Sequence, residues 1–214
     1  MTDTPPDRRS ALKERSRQAI VQAAAELMDE TGGTAFTVDE LAERADVSRR
    51  TVFNHFASLD DVVAEVGANV LGELIEKLAT PIEAGHGSAE ASILDELAAV
   101  VRSTDLVTPM AYLTRTLGGT DPHSPWHANL LNQALTEVGN GLVTALRRRY
   151  PEVDTLDLQL LVSAFTGGVL VLHTHWWEQT GAADDQASRT VWAELLDHLI
   201  DQLRTGFGSR EKRS

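Results

Sequence analysis

Residues 36–56 read FTVDELAERADVSRRTVFNHF, and this stretch predicts two short helices joined by a tight turn. Thr37 and Glu40 have the spacing of a capping box, in which each residue satisfies a backbone N–H of the other. Ser48 is a favoured N-cap residue and should begin the second helix. Asp46 lies where the chain must turn, and aspartate tolerates a left-handed backbone better than most residues. The stretch therefore predicts a helix-turn-helix.

The two faces of the second helix differ in chemistry. Val52 and Phe56 can close a small core with the apolar residues of the first helix, whereas the other side chains should face outward. Arginine pairs with guanine, asparagine pairs with adenine, and threonine or an aromatic edge meets the thymine methyl group. Hydroxyl and imidazole groups can contact phosphates. The predicted DNA-contacting residues of this stretch are Thr37, Ser48, Arg49, Arg50, Thr51, Phe53, Asn54 and His55.

The flanking segments fit the same interpretation. An apolar stripe at helical spacing precedes the motif, and Gly32-Gly33 should end that helix. The stripe consists of Ile20, Ala23, Ala24, Leu27 and Met28. After the motif, Ser58 and Asp61 repeat the capping pattern and predict another helix start. Residues 8–17 hold five basic residues against one glutamate, so we expect part of this segment, Arg15 in particular, to lie along DNA.

The composition excludes several functional classes. The net charge of −13 over 214 residues argues against a protein that coats nucleic acid nonspecifically. The chain has 0 cysteines, which excludes disulfides and thiolate metal sites. The polar N-terminus has no apolar core of a signal peptide, so we expect a cytoplasmic protein. Polar residues interrupt the apolar run 156–177, which favours a buried helix over a membrane span.

The rest of the chain predicts further helices and no strands, so the expected fold is all-α. A helix over 59–80 should stop at Pro81, and a loop is expected over 118–125. The remaining predicted helices cover 88–102, 106–117, 126–149, 154–178 and 186–204. The predicted organisation is a flexible basic arm (1–10), a three-helix DNA-binding domain (11–58), an effector-binding and dimerisation domain (59–208) and a tail (209–214).

Residues 10–65 resemble the DNA-binding domain of the TetR (tetracycline repressor-like) family in their capping residues, their spacing and their Thr-x-Phe-x-His-Phe ending. The resemblance implies that Thr37 meets a backbone phosphate and that Asn54 and His55 contact phosphates. It also implies that the major groove is faced by Arg49, Arg50, Thr51 and Phe53. The chain departs from the family where tyrosine is common, at Phe53, and where lysine is common, at Leu59.

The resemblance also implies a dimeric, ligand-responsive regulator of transcription. In such proteins the last two helices form the dimer interface, which here would be 154–178 and 186–204. We expect a repressor that binds a palindromic operator in double-stranded DNA and is released by a small hydrophobic or aromatic effector. Mostly apolar residues on segments that could converge form a candidate effector pocket, although core packing explains each of them equally well. They are Met110, Tyr112, Leu113, Trp126, Leu130, Phe165 and His173.

Catalytic, metal and cofactor sites are not predicted. The chain has no phosphate-binding glycine loop, no Gly-x-Ser-x-Gly and no His-Glu-x-x-His. His173 and His175 are two residues apart, so they point to opposite sides of a helix and are poor joint metal ligands. Two rival hypotheses are a small all-α hydrolase and a helical adaptor that binds protein through its first three helices. A gel-shift assay with upstream DNA would distinguish both from a regulator.

Overall fold

The structure, a computed structural model, describes residues 8–85, 92–117 and 125–206. Within these residues it contains nine helices and no strand, which confirms the all-α prediction. The helices are α1 (Arg8–Thr31), α2 (Val38–Arg44), α3 (Arg49–His55), α4 (Leu59–Ala84), α5 (Ile93–Ser103), α6 (Val107–Leu117), α7 (Pro125–Arg149), α8 (Thr155–Thr180) and α9 (Gln186–Thr205).

The chain divides into two compact units, Met1–Val70 and Leu71–Ser214. The first unit has its own apolar core, contributed by α1, α2, α3, the adjoining turns and the first half of α4. All five residues of the stripe predicted for α1 are buried in this core. The buried residues of the unit include Ile20, Ala23, Ala24, Leu27 and Met28 of α1, followed along the chain by Phe36, Leu41, Ala42, Val52, Phe56, Val62 and Val66. Because Val62 and Val66 are buried here, this unit extends beyond residue 58, where we placed the domain boundary.

The predicted capping residues make the predicted bonds. The Thr37 hydroxyl accepts from the Glu40 amide at 3.2 Å, and the Glu40 carboxylate accepts from the Thr37 amide at 2.7 Å. The hydroxyls of Ser48 and Ser58 accept from the amides of Thr51 and Asp61 at 3.1 and 3.2 Å. These local bonds explain why the helices begin where the sequence predicts, since each satisfies a helix amide that has no partner within the helix.

Two predicted helix limits were wrong. Helix α4 continues past Pro81 for about one turn and ends before Gly85, which has φ +70. Ile82 is 0% exposed, and its burial offsets the hydrogen bond that a proline removes from a helix. Helix α5 begins at Ile93 rather than at 88, because Ser92 and Asp95 form another capping box.

The arm and the tail lie mostly outside the described residues. Helix α1 begins at Arg8, so the last three residues of the predicted arm are helical, contrary to our expectation. Residues 1–7, the tail 209–214 and most of the predicted loop 118–125 are not described.

The second unit is a helical bundle in which α8 packs against both α7 and α9. Close approach of α8 and α9 depends on Gly168, where a Cβ atom would collide with the Leu199 side chain. Trp176 is 0% exposed, and its indole N–H donates to the Ser188 hydroxyl at 2.8 Å. By length and composition α8 could cross a membrane, with a mean hydropathy of 1.7. This property alone does not indicate a membrane span, because a helix packed in a protein core passes the same test.

Candidate DNA-binding interface

The turn between α2 and α3 is built as the sequence predicts. Asp46 has φ +51, in the left-handed region. The amide of Val47 donates to the carbonyl of Ala42 at 3.0 Å, which closes the turn. Leu41 and Val52 are 0% and 1% exposed and pack the two helices into one core. The orientation of α3 is therefore fixed by its buried face, and its opposite face is directed to solvent.

The solvent face of α3 carries the side chains that were predicted to contact DNA. Arg49, Arg50 and Asn54 are exposed, and Phe53 is 49% exposed. Thr51 and His55 are half-buried at the edges of this face. A large aromatic side chain left in solvent between two arginines and an asparagine has no role in the core. It is suited to contact with a base or a thymine methyl group.

Thr37 and Ser48 already serve as helix caps. The Thr37 hydroxyl also donates to the Glu40 carboxylate at 2.8 Å, and the Ser48 hydroxyl lies 2.8 Å from that of Thr51. Both residues are exposed. Their hydroxyl groups are thus held in fixed positions at the solvent edge of the motif.

Arg17 connects three helices of the first unit. Its guanidinium donates to the carbonyl of His55 at 3.3 Å, forms an ion pair with Glu65 at 2.9 Å and lies 4.4 Å from the centre of the Phe56 ring. The sequence grouped Arg17 with the basic segment 8–17, but its side chain holds the end of α3 against α1 and α4. Lys13 and Arg15 of the same segment are exposed.

His55 lies in a cluster of charged groups. Burial lowers the pKa of His55 below its ordinary value, and the positive charges of Lys13 and Arg17 lower it further, while Glu14 opposes them. His55 lines an open cleft of about 410 Å³ together with Asp61 and Glu65 of α4. Since the ordinary pKa of histidine is about 6.5, His55 is neutral at pH 7 in the free protein.

Two further arginines of the motif form ion pairs. Arg44 of α2 donates to both carboxylate oxygens of Glu30, at 2.9 and 2.8 Å, and so ties α2 to α1. This hydrogen bond lowers the pKa of the Glu30 carboxyl. Arg49 donates to the Asp39 carboxylate at 3.2 Å. The sequence analysis did not identify this role of Asp39, because the contact depends on how α2 packs against α3.

The residues proposed for an effector pocket lie on α6, α7 and α8. Met110, Tyr112 and Leu113 are half-buried, whereas Phe165 and His173 are 3% and 2% exposed. The imidazole of His173 is 2.9 Å from the Thr114 hydroxyl, which links α8 to α6 within the core. The side chains of Trp126 and Leu130 lie outside the described residues.

Comparison with known proteins supports both the motif and the fold. The family profile of bacterial regulatory proteins, tetR family, matches residues 20–66. That span contains α2, α3 and the parts of α1 and α4 that pack on them. No protein with curated annotation matches the chain.

Several solved structures share the fold over nearly the whole chain. A protein of Mesorhizobium loti assigned to the TetR family of transcriptional regulators has a TM-score of 0.61 at 17% identity, covering 89% of this chain and 96% of its own. A TetR-family regulator from Streptomyces coelicolor has a TM-score of 0.53 at 18% identity, covering 88% and 99%. Thermus thermophilus FadR, a TetR-family repressor in complex with lauroyl-CoA, has a TM-score of 0.52 at 24% identity, covering 92% and 98%.

The geometry of α2, the turn and α3 defines a helix-turn-helix of the class that binds DNA. Residues 20–66 match the DNA-binding domain of the TetR family of bacterial regulatory proteins, and the chain shares its fold with solved TetR-family regulators.

Proposed function

We propose that this protein is a homodimeric repressor that reads a palindromic operator through the outward face of α3. The observation that carries the proposal is the division of that helix into a buried apolar face and an exposed face. The exposed face presents two arginines, an aromatic ring and an asparagine together. Those side-chain types are the ones that read base edges in the major groove.

An exposed apolar stripe on α8 supports the dimer. Leu156, Leu160 and Val171 are 59%, 60% and 55% exposed in the single chain. Exposed Ala164 and Gly167 fall between them at helical spacing, so the five residues share one face. An apolar face of this kind is unfavourable in water and is typical of a subunit interface. A second copy of α8 would cover it, and two-fold symmetry would match that of a palindromic operator.

The proposed effector is a small hydrophobic or aromatic molecule that binds among α6, α7 and α8. The half-buried apolar side chains of α6 and the buried Thr114–His173 hydrogen bond provide an apolar surface with a polar group. The lauroyl-CoA bound to the FadR structure supports a hydrophobic ligand class. Helix α4 contributes residues to both units, so we expect it to carry the effect of ligand binding to the DNA-binding unit. A ligand that favours another spacing of the two α3 helices in the dimer would then release DNA.

Selection of DNA from a random pool tests this proposal with the full-length protein. We expect enrichment of an inverted repeat whose half-sites are separated by about one helical turn, roughly 10 base pairs. Repeating the selection with medium-chain acyl-CoA and with flat aromatic compounds should identify an effector that reduces recovery. Failure to enrich any sequence would contradict the proposal and would favour the helical adaptor.

The exposed Arg15 provides a prediction about the DNA backbone. Arg15→Ala should reduce the salt dependence of operator binding, because one phosphate contact is lost from each subunit. At about 0.9 per contact, the slope of log K against log salt should fall by about 1.8 for the dimer. Filter binding over a salt series measures the slope, and the exposed Arg147 of α7 supplies the control variant Arg147→Ala. An unchanged slope for Arg15→Ala would show that this residue does not contact DNA.

His55 predicts that the operator is bound more tightly as the pH falls. Its pKa is lowered in the free protein, and a neighbouring phosphate would raise that pKa by stabilising the imidazolium, so binding would take up a proton. Affinity should therefore increase between about pH 7.5 and pH 6. The effect on folding has the opposite sign: because the folded pKa lies below the unfolded one, protonation of His55 at low pH costs stability.

The measurement compares the pH dependence of operator affinity in the wild type and in His55→Gln. The difference between the two curves isolates His55 from the other titrating groups. Two parallel curves would contradict the predicted phosphate contact.

A further inference from the structure

The first arginine of the recognition helix has an acidic neighbour on the preceding helix. Arg49 Nη1 donates to Asp39 Oδ2 at 3.2 Å, and the two side chains are 60% and 68% exposed. Exposed ion pairs of this kind contribute little to folding stability. Among the described residues, no carboxylate forms an ion pair with Arg50. The two exposed arginines of α3 therefore differ in their electrostatic surroundings.

The geometry of the guanidinium makes this difference relevant to base recognition. The group has five N–H donors fixed in one plane, so Arg49 can donate to Asp39 and still present donors to a base. The carboxylate restricts the orientations of a side chain that would otherwise rotate freely. An arginine restrained in this way loses less entropy when it pairs with guanine.

We propose that Asp39 is a specificity-determining residue, which holds Arg49 for contact with a guanine and disfavours its contact with phosphate. This inference rests on the proposed function. The carboxylate repels DNA phosphates at any sequence, and it competes with them for the Arg49 guanidinium. On a site with the correct guanine, Arg49 satisfies both the base and Asp39. On other sites the repulsion is not compensated, so Asp39 weakens nonspecific binding more than operator binding.

The test compares Asp39→Asn with the wild type on operator and random duplexes of equal length, with the operator taken from the selection above. We expect the ratio of operator to random affinity to fall about tenfold, mainly because random DNA is bound more tightly. If the freed arginine of each subunit adds one phosphate contact, the salt slope on random DNA should steepen by about 1.8. The ratio is insensitive to a partly unfolded preparation, because the same sample binds both duplexes.

Two further variants separate this role from the general effect of charge. Asp29→Asn removes the same charge from an exposed position of α1 and should leave the ratio unchanged. In an Arg49→Ala background, Asp39→Asn should tighten binding to random DNA no more than Asp29→Asn does, because the side chain it positions is absent. The inference is overturned if Asp39→Asn leaves the ratio unaltered, if Asp29→Asn lowers it equally, or if the effect persists without Arg49. A wild type that does not discriminate between the duplexes would instead overturn the proposed function.

Discussion

Arg50→Ala is expected to abolish specific binding to the operator while leaving the protein folded. A bidentate arginine–guanine pair contributes about 1–3 kcal/mol of discrimination, and the variant loses one pair in each half-site. The loss is therefore about 2–6 kcal/mol per dimer, which corresponds to roughly a 30- to 20,000-fold decrease in operator affinity. Arg50 is exposed, so its truncation creates no cavity in the core.

Arg49→Ala should have an effect in the same range. Circular dichroism and operator affinity, measured on the same preparations, test the prediction. Arg147→Ala removes an exposed arginine from α7 and should bind as the wild type does. Native circular dichroism together with unaltered operator affinity in both α3 variants would show that this helix does not read the DNA.

The features predicted correctly from the sequence are those that depend on neighbouring residues in the chain. The capping box of Thr37 and Glu40 and the left-handed turn at Asp46 are determined within a few residues, so the residue types alone predict them. The limit at Pro81 was wrong because burial of Ile82, a tertiary effect, outweighs the local preference of proline. The start of α5 is also determined locally, by the capping box of Ser92 and Asp95, whose spacing is present in the sequence.

The contacts that sequence analysis missed join distant parts of the chain. Arg17 meets the carbonyl of His55, which lies 38 residues further on, and no spacing rule relates the two positions. The Arg49–Asp39 pair depends on the angle between two helices, which is set by the buried face of each. The hydrogen bond between Thr114 and His173 spans 59 residues and likewise depends on packing. Residue types and periodicity thus identify which face of α3 is exposed, but the partners of its arginines depend on the tertiary structure.

A charged substitution on the exposed face of α8 should convert the dimer to a monomer. Leu160→Asp combined with Val171→Asp places two carboxylates in each half of the proposed interface, four in all, where they would be desolvated without a partner. The effective cost of burying a charge is several kcal/mol per ion. A dimer could not form at that cost, so the two α3 helices would no longer be presented to one duplex together. Operator affinity should fall by at least about a hundredfold, since two linked binding events become two separate ones.

The fold of the single chain should tolerate these changes, because Leu160 and Val171 are 60% and 55% exposed there. Light scattering after size-exclusion chromatography should therefore show a monomer with the helical content of the wild type. Leu12→Asp is the matched control: Leu12 is 56% exposed on α1 of the first unit, whereas α8 belongs to the second, and its replacement should leave a dimer. If the double variant remains a dimer, α8 does not form the subunit interface. If it is monomeric but binds the operator as the wild type does, the two-fold recognition proposed for this protein is wrong.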